Sequence, residues 1–343
     1  MKIILDAMGG DNAPEAVVLG ALDAVKEFDT EIILVGKGEE ILAAMKKNGI
    51  SDLPAGVAIA NADDVVDMHD DPAAVLHKRK NSSMVVGLKM LAEGQGDAFV
   101  SAGSTGALLT AATLVVKRVK GIRRAAMAPA FPNKAGGKTI ICDCGANAEC
   151  TPEFLLQFAI VGSLHAKKSL GLQNPRVGLL NIGTEDSKGT ALQLAVYPML
   201  QEAHEKGLIN FIGNVEARQV PMGEVDVVVC DGFSGNVLLK SIEGTAMFLG
   251  STISAMFKKS IVSKLAAAMV MKDIKAFKKL LDYREIGGTQ FLGIKKPVIK
   301  AHGSSDRRAF YSAVRQAMDA AKNNTAEELE IALKQIAAAK EKA

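Results

Sequence analysis

The chain has 343 residues, 48% hydrophobic and 23% charged, enough to bury a core across two lobes and inconsistent with a disordered protein. Net charge is only +3, and with 4% aromatic residues and no tryptophan the chain has no recognition motif for nucleic acid. The opening MKIILDAMGG loses its apolar run at Asp6, which argues against a secretory leader, and near-apolar runs such as 106–116 are too short to span a bilayer.

A strand predicted at Lys2–Leu5 runs into Asp6-Ala7-Met8-Gly9-Gly10-Asp11-Asn12. Gly9 and Gly10 allow close approach to the backbone, and Asn12 is expected to cap a helix over Glu15–Phe28 whose entry holds Pro14. Strand Glu31–Val35 leads to Gly36-Lys37-Gly38, the opening of a dinucleotide fingerprint that lacks its third glycine and so carries little weight. The acids Asp63, Asp64, Asp67, Asp70 and Asp71 read as a solvated loop in preference to a metal site. The cationic run His77-Lys78-Arg79-Lys80 continues through Asn81 and Ser82 into a Ser-capped helix; it is either a charged surface or a clamp for an anion.

The later strands all end in polar loops. Ala98–Val100 ends in Ser101-Ala102-Gly103-Ser104-Thr105-Gly106, and Thr139–Cys142 in Asp143-Cys144-Gly145-Ala146-Asn147. Val177–Leu180 ends in a loop holding Glu185 and Lys188, and Phe211-Ile212 in Gly213-Asn214-Val215-Glu216. Val227–Cys230 ends in Asp231-Gly232-Phe233-Ser234-Gly235-Asn236, with a helix expected from Val237. Pro297–Ile299 ends in Lys300-Ala301-His302-Gly303-Ser304-Ser305-Asp306. Strands alternating with helices predict an α/β fold with a mostly parallel sheet covered on both faces, whose ligands bind outside the carboxyl ends of the strands. One glycine-rich βα loop is ordinarily only a connection. Seven on one edge make a site, and helix N-termini with free amides suit phosphate.

Cys142 and Cys144 alternate along a strand and no CxxC pair exists, so the four cysteines read as reduced cytosolic thiols and not as a zinc site. Pro, Gly and Lys punctuation near 131–138 and 290–297 divides a first lobe, 1–130 with 296–343, from a second, 131–295. Within the second lobe, 246–286 reads as a helical hairpin. Phe248, Leu249, Ile253, Met256 and Phe257 recur at helical spacing, and Leu265, Ala268, Met269 and Val270 form an apolar tip flanked by lysines, with Lys275, Lys278 and Lys279 beyond. Such a tip either lies on a membrane or packs in a homodimer. Between 256 and 300, eleven Lys/Arg stand against three acids, +8 locally and −5 elsewhere, which favours an acidic partner or an anionic membrane surface.

No Walker A, HExxH, GxSxG or EF-hand pattern is present, and no Ser or Cys sits in a nucleophile elbow. If phosphate is itself the nucleophile, the protein need only hold it against an acceptor carbonyl and stabilise the tetrahedral oxyanion. Lys188 and the amide of Asn236 suit that task, with the Lys78–Lys80 cluster as a further cationic candidate.

The segments DAMGGDNAPE (6–15), KNSSM (80–84), SAGSTGAL (101–108), DCGAN (143–147), PRVGLLNIGTEDSKG (175–189), NFIGNVEAR (210–218), VVVCDGFSGNV (227–237), SKLAAA (263–268) and PVIKAHGSSD (297–306) resemble, in order, the bacterial phosphate acyltransferases of phospholipid synthesis. Ser104 stands where that pattern has Asn, and Cys144 where it has Val. The resemblance implies a three-layer α/β/α fold like isocitrate dehydrogenase and phosphotransacetylase, a homodimer, and no metal or nicotinamide cofactor. It implies the conversion of fatty acyl-acyl carrier protein and orthophosphate to acyl phosphate and free carrier protein. The product would feed a membrane glycerol-3-phosphate acyltransferase, from a cytoplasmic enzyme in peripheral contact with the membrane. Lys188 and Asn236 are carried over as catalytic. The candidate substrate contacts are Asp6, Gly9, Gly10, Lys80, Asn81, Ser82, Ser101, Ser104, Thr105, Asn147, Glu185, Asp231, Ser234, His302, Ser304 and Ser305. A short acyl-coenzyme A in place of the carrier protein, as in phosphotransacetylase, is the nearest alternative.

Overall fold

The computed structural model describes residues 1–274, 284, 287–323 and 325–340, with side chains given up to 335. Two sheets form the frame. In the first, the order is β3 (Val57–Asn61), β2 (Glu31–Gly36), β1 (Lys2–Asp6), β4 (Ala98–Ser101), β12 (Val298–Ala301), β11 (Gly288–Leu292) and β5 (Ala126–Met127). The first five strands are parallel; β11 runs antiparallel to both β12 and β5. The second sheet has the order β6 (Ala130–Pro132), β7 (Lys138–Cys142), β10 (Val227–Val229), β8 (Arg176–Asn181) and β9 (Asn210–Glu216), parallel but for β6.

Helices cover both faces of each sheet, which is why Ile3, Ile4 and Leu5 of β1 and Val227, Val228 and Val229 of β10 are all fully buried. On the first sheet, α1 (Glu15–Glu27) and α10 (Arg307–Lys322) share one core, and α4 (Ser83–Ala92) with α5 (Thr105–Ala111) sit over the other. The α1–α10 approach needs Gly20, where a Cβ would lie 2.6 Å from the Phe310 Cβ. On the second sheet, α6 (Pro152–Ser169), α7 (Ala191–Glu205) and α11 (Ala326–Lys340) cover one face, and the first turns of α8 (Gly232–Lys258) the other.

Sheet membership departs from the division at 131 and 295. Strand β11 lies inside the span assigned to the second lobe, yet it pairs antiparallel with β12 on one side and β5 on the other and so belongs to the first sheet. The C-terminal helix α11 leaves the first sheet altogether: Leu329 and Leu333 bury in the second core, and Lys168 Nζ meets Glu328 at 2.7 Å.

Three local expectations also change. Asn12 does not cap α1, whose first turn follows Pro14 without a side-chain cap. Gly213–Glu216 is not a loop but the second half of β9, carried past an irregularity in its register with β8 between Val177 and Leu179. Helix α8 begins at Gly232, five residues before Val237, because Asp231 caps it through the Ser234 N–H. It then runs unbroken to Lys258 and turns at Ser260 into α9 (Ile261–Met269), so the hairpin is present as two packed helices over these residues. Lys275, Lys278 and Lys279 lie outside the described residues.

Candidate active site

In the first lobe the site is built from Asp6 outward. Its carboxylate is buried at the end of β1, where it accepts the Ser83 hydroxyl on Oδ1 and the Ser101 hydroxyl on Oδ2, each at 2.6 Å. Burial pushes the Asp6 carboxyl up in pKa, and the hydroxyls of Ser101 and Ser83 pull the other way. Ser101 Oγ in turn accepts the Gly103 N–H at 3.0 Å. Gly9 is forced by this packing: a Cβ there would lie 2.6 Å from Asp6 Oδ2 and 2.9 Å from the Gly103 nitrogen. The loops after β1 and β4 are therefore locked together, and Asp6 acts on the site by holding Ser83 and Ser101. Ser83, one position past the predicted Ser82, was missed; Ser82 is the buried cap of α4.

The loop after β12 joins the same edge. The Asp11 N–H donates to the Gly303 carbonyl at 2.8 Å, and Asn12 Nδ2 donates to the carbonyls of Ser304 and Ser305 at 3.2 Å. His302 Nδ1 is 2.8 Å from Ser304 Oγ. Lys300, in the last turn of strand before these residues, donates its amine to the carbonyls of Ala102, at 3.4 Å, and Ala301. Burial pulls the Lys300 amine down to about 8, with Asp11 and Asp6 opposing.

Other first-lobe candidates lie further out. Ser104 is buried where α5 starts, and Thr105 is half-buried in its first turn. Lys80 and Asn81 are exposed. Arg79 is not an open anion clamp: it meets Asp70 through Nε at 2.9 Å and Nη2 at 3.2 Å, and Asp64 at 3.1 Å. These pairs also take Asp64 and Asp70 out of the solvated acidic loop expected there, and the Arg79 side-chain bond holds the Asp70 carboxyl below the usual carboxylate range.

In the second lobe Asp143 plays the part of Asp6. Fully buried after β7, it accepts the N–H groups of Met127 (2.8 Å) and Cys144 (2.7 Å) on Oδ1, and Asn147 N (2.6 Å) and Nδ2 (2.9 Å) on Oδ2. The Asn147 side chain is thus spent on Asp143 and on the Ala125 carbonyl at 2.9 Å, while its own carbonyl accepts the Gly232 N–H at 2.8 Å. Asp231 accepts both the N–H and the hydroxyl of Ser234 at 2.8 Å. Asn147, Asp231 and Ser234 therefore fix the start of α8. Asn236 follows on the exposed side of its first turns, its side chain next to the Gly145 backbone, which is open because Gly145 takes φ +92°.

The strands β8 and β10 are neighbours, so the loop carrying Lys188 and the helix carrying Asn236 leave adjacent strand ends. That loop is pinned by Asn181 Nδ2 to the Lys188 carbonyl (3.0 Å) and by Asn214 Nδ2 to the Glu185 carbonyl (2.7 Å). Lys188 itself is exposed, its stem passing over Gly183 beside Glu185.

The carboxyl edges of the two sheets meet. His302, from the first lobe, lies within electrostatic reach of Lys240 and Glu243 on α8 of the second. Burial, then Lys240 and Lys300, push the His302 imidazole below its ordinary pKa. The thiols are poorly placed for nucleophilic work. Cys142, Cys144 and Cys230 are buried, and burial pushes both Cys144 and Cys150 up to about 12.

The protein-family model described as "Fatty acid synthesis protein" matches residues 1–328. A phosphate acyltransferase of Bacillus licheniformis is 45% identical over 336 residues, covering 98% of this chain and 99% of that one. Another, from Bacillus cereus, is 47% identical over 317 residues, covering 92% and 93%. The chain belongs to this family of phosphate acyltransferases. Among solved structures, a phosphotransacetylase from Streptococcus pyogenes superposes with a TM-score of 0.62 at 20% identity over 94% of each chain. A branched-chain phosphotransacylase from Enterococcus faecalis gives 0.55 at 16% identity over 92% of this chain and 98% of that one. These likenesses bear out the three-layer α/β/α fold. Lysines stand at the strand ends of both sheets, Lys300 in the first and Lys188 in the second.

Proposed function

We propose that this phosphate acyltransferase moves a fatty acyl group from the thioester of acyl carrier protein to orthophosphate by direct attack, with Lys188 and Asn236 as its catalytic residues. The observation that carries this reading is the emergence of Lys188 and Asn236 at adjacent strand ends, beside thiols that burial keeps protonated. A phosphate oxygen attacks the thioester carbonyl carbon, and the Lys188 ammonium and Asn236 side-chain amide stabilise the tetrahedral oxyanion. The oxyanion collapses, the carbon–sulfur bond breaks, and the carrier thiolate leaves and takes up a proton. Acyl phosphate and free carrier protein result. Gly10, Ser104 and Thr105, with Ser305 and His302 nearby, make the first lobe's side of the cradle, held in place by the bonds that Gly9 and Ser101 make to Asp6.

The remaining surface suits these partners. Between 256 and 300 the +8 charge attracts an acidic carrier protein or anionic lipid. On the hairpin, Leu265 and Met269 are 65% and 88% exposed, a placement that supports lipid contact or a homodimer. Among the described residues no helix is long and apolar enough to cross a membrane. We infer a cytoplasmic enzyme in peripheral contact with the membrane, where a glycerol-3-phosphate acyltransferase would consume its product.

The test is free-thiol release from palmitoyl-acyl carrier protein with and without orthophosphate, with hydroxylamine trapping the acyl phosphate. Phosphate-dependent release, lost in Lys188→Ala, supports the reading. Release without phosphate contradicts it, and turnover of acetyl-coenzyme A with no turnover of the carrier protein moves the chain to the short-chain alternative.

A further inference from the structure

Asn236, Lys240 and Glu243 stand at i, i+4 and i+7 of α8, which lays them along one face of the helix. Lys240 Nζ donates to Glu243 Oε2 at 2.6 Å, both side chains about half exposed. That face reaches electrostatically to Cys144, after β7 of the same lobe, and to His302, after β12 of the other. His302 also senses Lys300, whose amine lies under the loops that follow β1 and β4. His302 is thus within electrostatic reach of Lys240 and Glu243 on α8 and of Lys300 and Asp11 in its own lobe. His302 Nδ1 accepts the Ser304 N–H at 3.3 Å and lies 2.8 Å from Ser304 Oγ, which fixes the ring in the loop after β12.

An ion pair on an exposed helix face ordinarily contributes little to stability. What matters here is its place. A carboxylate that neutralises a lysine one helical turn from Asn236 occupies the position that an anionic substrate would take. We propose that Lys240 is a cationic ligand of orthophosphate, with His302 donating from the opposite lobe, and that Glu243 is the stand-in carboxylate that phosphate displaces. Asn236 and Lys188 then face the thioester carbonyl, while Lys240 and His302 hold the nucleophile about 5 Å further along α8, one turn of helix. The assignment rests on phosphate being the acyl acceptor.

Steady-state thiol release from palmitoyl-acyl carrier protein, with orthophosphate varied, reads it directly. Lys240→Ala raises the phosphate KM about tenfold or more, as loss of a charge-assisted hydrogen bond requires, and leaves the carrier-protein KM within about twofold. Lys240→Arg restores part of the loss. Glu243→Gln has the opposite sign and lowers the phosphate KM about two- to fivefold, because the competing carboxylate is gone. A merely structural pair would not give opposite signs. An unchanged phosphate KM in Lys240→Ala, or a rise in both KM values together, overturns the assignment, and so does a raised phosphate KM in Glu243→Gln. Wild-type release that ignores phosphate overturns the phosphate acyltransferase reading, and this inference with it; phosphate-dependent wild-type release with an indifferent Lys240→Ala overturns this inference alone.

Discussion

A Cβ placed on Gly235 would lie 2.0 Å from the carbonyl oxygen of Asp143. Those two residues are the joint between the end of β7 and the start of α8, and they set where Asn236 stands. Gly235→Ala must therefore push the helix away from the Asp143 loop. Overpacking of this kind costs about 1–3 kcal/mol. Thermal denaturation should show a lower midpoint, and the phosphate-dependent rate should fall further than the loss of folded protein explains.

Lys188 and Asn236 are exposed, so replacing either by alanine should leave the fold intact. Removing one donor to a developing oxyanion costs about 10²–10³ in kcat. Each variant is expected to lose that much in thiol release with its circular dichroism spectrum unchanged. A loss below about tenfold in Lys188→Ala would remove it from the oxyanion.

Asp226 caps the approach to β10 by pairing with Arg176 through Nε at 3.0 Å and Nη2 at 2.9 Å, and it accepts the Arg176 N–H at 2.8 Å. Partial burial pulls its carboxyl up, but the Arg176 bonds prevail and hold it below the ordinary value. A depressed carboxyl contributes stability that is present above the unfolded-state pKa of about 4 and is lost as pH falls through the folded value. Asp226→Asn should lower the melting midpoint at pH 7, and the gap from wild type should close as pH falls through the depressed folded-state value. A gap independent of pH would mean that packing, not charge, is what the substitution removes.

The hairpin predicts a separation of functions. Leu265→Glu with Met269→Glu places charge on two of the exposed apolar positions of α9. Binding to vesicles with anionic headgroups should fall at least about tenfold. Thiol release in solution should stay within about twofold of wild type. Unchanged vesicle binding, with a change in oligomeric state on gel filtration, would assign the tip to a homodimer instead.

Much of this fold was legible because parallel strands covered on both faces leave unbroken runs such as Val227-Val228-Val229, and their ends leave polar loops. The α/β class and the edge holding the site follow from those two signals. Cap assignments were less legible. Asn12 has the chemistry of a cap, but its amide is claimed by the carbonyls of Ser304 and Ser305, almost three hundred residues away. Gly213 reads as a strand terminator, yet an irregularity in register lets β9 continue through it. Helix α8 starts early because Asp231 reaches Ser234, a bond that propensity alone does not rank above a turn.

The site divided along similar lines. Polar residues on loops were found, while the groups that position them were passed over, because burial cannot be read from a strand-end aspartate such as Asp143 or a second serine such as Ser83. Asn147, predicted as a substrate contact, turned out to spend its amide on Asp143 and Ala125. Lys240 and Glu243 were overlooked for a different reason. Their meaning depends on a residue of the other lobe, His302, and helical spacing from Asn236 was the one sequence signal that could have singled them out.

The central claim is that phosphate, not a protein side chain, attacks the thioester. Intact-mass spectrometry of the chain mixed with palmitoyl-acyl carrier protein in the absence of orthophosphate tests it most directly. An unmodified chain is expected, with acyl phosphate only after phosphate is added. A palmitoyl adduct on Cys144 or Cys230 that forms without phosphate and disappears when phosphate is supplied would contradict it.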